Sequence, residues 1–322
     1  MFRGESGGSA TPEALSQTAN QEAFDQDPQE TEGFLVSESQ EIVSFKRKVE
    51  VPGSSKPVEY SGSMPVDLNS NFIHIVVPGF GGIKGSYRSF EQSMASREGR
   101  FTISFAPARS SSQKLDPQQI HEDSIGAIAQ DVADSGVLNE LPNGDKINLS
   151  EFNGILHSMA AAAGTRRASN YPSEVRSLTF LNPIGFEENP DFARYIKRIG
   201  PCTLAEILPG ILKGEFKDHR NLLTGINMGK HLFGNVIQTV GEIVTCHTSD
   251  LRQDVFRLGK MGVGTAVLLG GSDRLVRAKP SFDGITHYVD HCEIIEDTGH
   301  FGPQKQPEET ANNVGRVLAK VA

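Results

Sequence analysis

Apolar positions in this chain gather into short runs rich in Val, Ile and Phe, and longer stretches of helical periodicity separate them. The clearest run lies in NFIHIVVPGFGG, where a β-branched segment is broken by Pro78-Gly79. That is the pattern of a buried strand opening into a loop. Upstream, FLVSESQEIVSFKRKVEV alternates or clusters its apolar residues from Phe34 until Pro52-Gly53 stops it, which predicts a pair of leading strands. Downstream, SYRSFEQSMASREG reads as a helix and FTISFAPA as a strand. IHEDSIGAIAQDVADSGVLNEL then places Ile125, Ile128, Ala129 and Val132 at helical spacing, with Asp116 or Asp123 near its start.

The rhythm continues with KINLSEFNGIL as a strand, the Ala-rich SMAAAAGTRRA as a helix, and VRSLTFLNPIGF as a strand running into a loop. Strand and helix in alternation build a parallel sheet covered on both faces. Between about Glu187 and Leu258 the alternation stops. DFARYIKRIG, LAEILPGILKG and HLFGNVIQTVGEIV look helical with no strand between them, which predicts an insertion acting as a helical lid. GVGTAVLLGGSDRLV and HYVDHCEIIEDTGHFGP resume the strand-loop rhythm, and PEETANNVGRVLAKVA closes the chain as a helix with Pro307 in its first turn. No internal repeat is visible.

Composition changes the picture at one end. Residues 1–33 are rich in Gly, Ser, Gln, Glu and Pro and poor in large apolar groups, so a disordered acidic tail is expected there, followed by one domain over 34–322. Residues 1–32 hold seven acidic side chains and one basic, or −6 of the formal −9, which leaves −3 for the rest. The folded part therefore lacks the basic footprint of a nucleic-acid binder, and Lys46-Arg47-Lys48 and Arg166-Arg167 read as solvated surface. No stretch approaches the ~20 apolar residues of a membrane span, and the N-terminus has no apolar signal core. Cys202, Cys246 and Cys292 are odd in number and far apart, which argues against a disulfide framework and a zinc knuckle and for a reducing, cytoplasmic setting. His287 and His291 lack the glutamate of a zinc-binding H-E-x-x-H helix, so no metal is expected. Gly262 and Gly264 precede a strand instead of following one, so no nucleotide cofactor is expected either. The sequence implies no particular oligomeric state.

The chemistry centres on GILHSMAAAA, where Ser158 falls at the point at which a strand becomes a helix. A serine there can be an ordinary helix N-cap. It can also be a nucleophile, because a tight strand-turn-helix junction projects the hydroxyl outward. The same junction aims the first helix amides at the place where an oxyanion would form.

Four segments in order, PGFGG, LHSMA, GGSD and TGHFGP, give the chain from about Phe72 onward a resemblance to the α/β-hydrolases. The resemblance implies a mostly parallel sheet flanked by helices, with Ser158 as nucleophile, Asp273 as the triad acid and His300 as the base. It places the oxyanion hole at the backbone amides of Phe80 and Met159. Asp297, Asp250 and Asp254 are alternatives to Asp273, which has the better context after a late strand. His157 is expected to pack beneath the elbow. The implied activity is serine hydrolysis of a small-molecule acyl substrate, foremost a carboxylic ester, without a cofactor. Thioester or carbon-carbon bond hydrolysis are alternatives on the same fold.

The sequence departs from the family's G-x-S-x-G pattern at Leu156, where a small residue lets strand and helix backbones pass closely. That departure supports a rival reading, a non-catalytic small-ligand-binding protein on the same fold.

Overall fold

The structure is a computed structural model that describes residues 35–37, 42–65, 68, 72–79, 85–105, 117–135, 148–186 and 250–321. Its strands are β1 (Leu35–Ser37), β2 (Ile42–Val49), β3 (Val58–Pro65), β4 (Phe72–Val77), β5 (Thr102–Phe105), β6 (Asn148–His157), β7 (Val175–Leu181), β8 (Gly264–Gly270) and β9 (His291–Ile295). Among the described residues these form one sheet in the order β1-β2-β3-β5-β4-β6-β7-β8-β9. The first three strands and the β3–β5 pair are antiparallel, and every pair from β5 through β4 to β9 is parallel.

The parallel strands are apolar on both faces because helices cover both. In β4, Ile73, Ile75 and Val77 enter one core cluster while Val76 enters the other. In β8, Val267 and Leu269 divide from Ala266 and Leu268 in the same way. Helices α1 (Arg88–Glu98) and α7 (Pro307–Val321) cover one face with Phe90, Met94, Val314 and Leu318. On the other lie α2 (Pro117–Asp134), α3 (Ala160–Asn170), α4 (Arg252–Lys260) and α5 (Ala278–Ile285). A short α6 (Gly302–Lys305) precedes α7.

The predicted alternation of strand and helix is present, with two additions. The sequence pattern suggests a leading pair of strands, and the structure adds β3, whose VEYSGSMP carries too few large apolar residues to announce itself. Gly62 of β3 lies directly across from Phe45, whose ring covers it: a Cβ on Gly62 would stand 2.3 Å from Phe45 Cζ. Val58, Tyr60 and Met64 of β3 enter the core themselves, and the Phe45 ring fills the gap between them at Gly62. The second addition is α5, disguised by Pro280, which a first turn tolerates.

Residues 187–249 of the predicted insertion lie outside the described residues, as does the 1–33 segment read as an acidic tail. The end of that insertion, residues 252–258, belongs to α4, which buries Val255 and Leu258 in the main core and so forms part of the layer flanking the sheet. The Leu251 N–H donates to the Gly185 carbonyl at 3.0 Å, so the described residues on either side of that segment meet. Among the described residues no helix is long and apolar enough to cross a membrane.

Candidate active site

Ser158, Asn182, Asp273 and His300 all follow the carboxyl ends of adjacent parallel strands, β6, β7, β8 and β9. Crevices beyond that edge are where open α/β sheets bind their ligands. Between the end of β6 and the start of α3 only Ser158 and Met159 remain to turn the chain. Ser158 accordingly takes φ 57°, in the left-handed region. For a residue with a Cβ this costs about 1–3 kcal/mol and persists only where the surroundings enforce it. They do so here. The Ser158 N–H donates to the Leu181 carbonyl at 2.8 Å, while its own carbonyl accepts from Ile184 at 3.2 Å and Ala161 at 3.3 Å. Met159 stands at the cap of α3, with no side-chain cap bond. The Ser158 hydroxyl is therefore not spent on capping the helix.

That hydroxyl instead lies 3.0 Å from His300 Nε2, and His300 Nδ1 lies 2.7 Å from Asp273 Oδ2. The other Asp273 oxygen accepts the backbone N–H groups of Leu275 at 2.7 Å and Val276 at 2.9 Å, which fix the carboxylate. A carboxylate facing Nδ1 calls for a hydrogen on that nitrogen, leaving the Nε2 lone pair toward Ser158. All three side chains are buried. The rival aspartates are engaged elsewhere: Asp250 binds Arg252 at 2.9 Å, and Asp254 pairs with Arg257 at 3.3 Å. Asp297 turns the chain at φ 57° and its carbonyl accepts from Gln306.

Of the predicted oxyanion donors, Met159 stands at the N-cap of α3, directly after Ser158. Phe80 lies outside the described residues, but its neighbour Gly79 touches the elbow. A Cβ there would stand 2.8 Å from Ser158 Cβ and 2.8 Å from His157 Nδ1, so only glycine lets this loop approach so closely.

Two residues that the sequence did not single out hold the histidine's loop. Asn182, at φ 46°, donates from Nδ2 to the carbonyls of Gly299 at 3.0 Å and His300 at 3.3 Å, while its Oδ1 accepts the Gly270 N–H at 2.6 Å. Its place directly after a strand, in LNPIG, was the available signal. The second is Tyr87, whose hydroxyl lies 2.5 Å from His157 Nδ1 and accepts the Gly79 N–H at 3.2 Å. His157 packs beneath the elbow as expected, with its Nε2 on the His300 carbonyl at 2.8 Å. Burial, reinforced by the nearby His300, lowers its pKa to about 3 and keeps the ring neutral. Leu156 is accommodated by the helix behind it: a Cβ on Gly164 would stand 2.3 Å from Leu156 Cδ1, so the helix is small where the strand is large. Among the described residues no three side chains of His, Cys, Asp or Glu converge as a metal ion would require.

No protein-family model matches the chain, and no curated protein matches it in sequence. Solved structures do match. A thermophilic esterase from Thermogutta terrifontis is similar at 14% identity and a TM-score of 0.58, over 85% of this chain and 98% of that one. The enol-lactonase from Burkholderia xenovorans LB400 is similar at 9% identity and a TM-score of 0.58, over 85% and 100% of the two chains. A bromoperoxidase from Bacillus anthracis is similar at 12% identity and a TM-score of 0.59, over 85% and 99%. With the sheet order and the elbow already described, these neighbours show that the chain has the α/β-hydrolase fold.

Proposed function

We propose that this protein is a serine hydrolase that cleaves a carboxylic ester, or a related acyl bond, through an acyl-enzyme. The observation that carries the reading is the unbroken chain of hydrogen bonds from Ser158 through His300 to Asp273, anchored on a serine held at φ 57°. The fold alone fixes no chemistry.

In this mechanism His300 Nε2 takes the Ser158 proton as Oγ attacks the acyl carbonyl, and Asp273 holds the imidazole in the tautomer that can accept it. The Met159 and Phe80 amides hold the negative oxygen of the tetrahedral intermediate, and the contact of Gly79 with the elbow supports that placement. His300 returns the proton to the leaving oxygen. Water then adds to the acyl-enzyme with His300 again as base, and the acid departs, so water is the only co-reactant and no cofactor is required. Thioester and carbon-carbon bond cleavage, and binding of a small ligand without turnover, are the alternatives that the same fold admits.

The lid reading is retained for residues 187–249. Its support is that both stems meet at the Gly185–Leu251 bond and that Ile184, beside the first stem, is bonded to the Ser158 carbonyl. The spacing of the three cysteines supports a reducing, cytoplasmic setting.

Hydrolysis of a p-nitrophenyl ester series by wild type and Ser158→Ala, between about pH 5 and 9, tests the reading. Turnover that rises with pH as the base loses its proton, and vanishes in Ser158→Ala, is the expected result. Ligand binding with neither turnover nor labelling of Ser158 by a fluorophosphonate would favour the binding-protein alternative.

A further inference from the structure

The two loops that flank Ser158, one after β4 and one after β9, are far apart in sequence, yet a single buried chain of hydrogen bonds joins them. It runs from the Gly79 N–H to Tyr87 Oη at 3.2 Å, from Tyr87 Oη to His157 Nδ1 at 2.5 Å, and from His157 Nε2 to the His300 carbonyl at 2.8 Å. Each role in it follows from the ends inward. A backbone carbonyl can only accept, so His157 carries its hydrogen on Nε2. A neutral imidazole then has only a lone pair on Nδ1, so the Tyr87 hydroxyl donates there. The tyrosine oxygen is left free to accept from Gly79, whose N–H can only donate. Tyr87 and His157 are each 2% exposed, so water is a poor substitute for either partner.

We propose that Tyr87 is a positioning residue, which through His157 fixes the main chain of the histidine base relative to the oxyanion loop. The proposal rests on the serine-hydrolase reading above. His157 is the natural mediator. Its ring centroid lies 5.1 Å from that of His300 and 5.8 Å from that of Tyr87, and the Gly79 backbone presses against its Nδ1 edge. A shift of either end changes the length of a bond in this chain, so the main chain of His300 and that of Gly79 are held relative to one another. Burial keeps the His157 ring neutral through the range in which the base must be unprotonated, and its bonds to Tyr87 and to the His300 carbonyl select the tautomer.

The test is Tyr87→Phe, which keeps the ring in its apolar setting and removes only the hydroxyl. The expected result is a kcat lower by on the order of 10- to 100-fold with KM within about threefold of wild type, because the loss falls on alignment at the transition state. A simple packing defect would instead lower thermal stability and leave kcat of the folded fraction unchanged. Nitrogen NMR of the histidine rings provides a readout independent of turnover. Wild type should show His157 as the Nε2–H tautomer with no titration down to about pH 5. In Tyr87→Phe the His157 nitrogens and the His300 ring should both shift. A His157 that carries its hydrogen on Nδ1, or a Tyr87→Phe with wild-type kcat, overturns the proposal. A wild type with the expected tautomer that neither hydrolyses esters nor labels at Ser158 overturns the serine-hydrolase reading and, with it, Tyr87 as a positioning residue for a base. The hydrogen-bond chain would then stand as a purely structural one.

Discussion

Leu156 of β6 and Gly164 of α3 share one volume, since a Cβ added at Gly164 would stand 2.3 Å from Leu156 Cδ1 and 2.5 Å from Cδ2. A glycine inside a helix costs roughly 1 kcal/mol against alanine, and this contact is its physical reason. Gly164→Ala should therefore destabilise despite its better helix propensity, by about 1–3 kcal/mol of overpacking. Leu156→Ala should destabilise by about 2–5 kcal/mol through the cavity it leaves. The double variant should recover part of both losses, with a coupling of about 0.5–3 kcal/mol in urea unfolding. Simple additivity of the two single changes would mean that the residues do not share the space.

That pair also shows what the sequence withheld. The convergence of Ser158, Asp273 and His300 is legible because each follows a strand-like run and their order is meaningful along the chain. Leu156 reads as a departure from the elbow pattern because its compensation lies eight residues on, in a helix where nothing local marks Gly164 as special. Tyr87 and Asn182 were missed for a related reason. Apart from the His157 ring beside Tyr87, their partners are backbone groups of Gly79, Gly270, Gly299 and His300, and a backbone group carries no side-chain signature. β3 is hidden because its apolar row Val58, Tyr60, Met64 is interrupted at Gly62, where the cover is Phe45 of the neighbouring strand. The parallel strands from β4 to β8, apolar on both faces, needed no such help.

The left-handed backbone of Ser158 gives a prediction that separates stability from activity. At φ 57° glycine meets no Cβ penalty, whereas alanine keeps it. Ser158→Gly should be more stable than Ser158→Ala by about 1 kcal/mol, and both should be inactive on esters. Denaturant midpoints measured side by side decide it. Equal stability of the two would mean that the elbow stores no strain.

Asn182 bridges the ends of β7 and β8 to the loop that carries His300. Because its φ of 46° is also comfortable for glycine, Asn182→Gly removes the side chain while preserving the backbone. The carbonyls of Gly299 and His300 then lose a donor and the Gly270 N–H loses its acceptor, at a cost of about 1–3 kcal/mol. Ester hydrolysis should fall by on the order of tenfold in kcat, with little change in KM, as the base loses its fixed position. A drop confined to KM would place Asn182 in substrate binding instead.

Glu91 on α1 is a buried carboxyl facing the antiparallel part of the sheet. It accepts the Ser61 hydroxyl at 2.7 Å, the Ser63 hydroxyl at 2.6 Å, and that of Ser104. Burial raises its pKa above the ordinary 4.5, against the opposing pull of the three hydroxyls and of Arg88. The folded state thus holds this proton more tightly than the unfolded chain. Below the unfolded value both states are protonated and the contribution to stability is full. As pH rises past it the unfolded chain ionises first, and stability is lost until the folded group ionises as well. Glu91→Gln stays neutral, and the serine hydroxyls can rotate to accept from its amide. The variant's advantage over wild type should therefore be near its minimum at about pH 4 and grow by about 1.4 kcal/mol per pH unit above the unfolded value, levelling off once the folded carboxyl titrates. Urea unfolding of both proteins at about pH 4, 6 and 8 measures the gap. A gap that does not change with pH would mean that Glu91 ionises alike in the folded and unfolded chains.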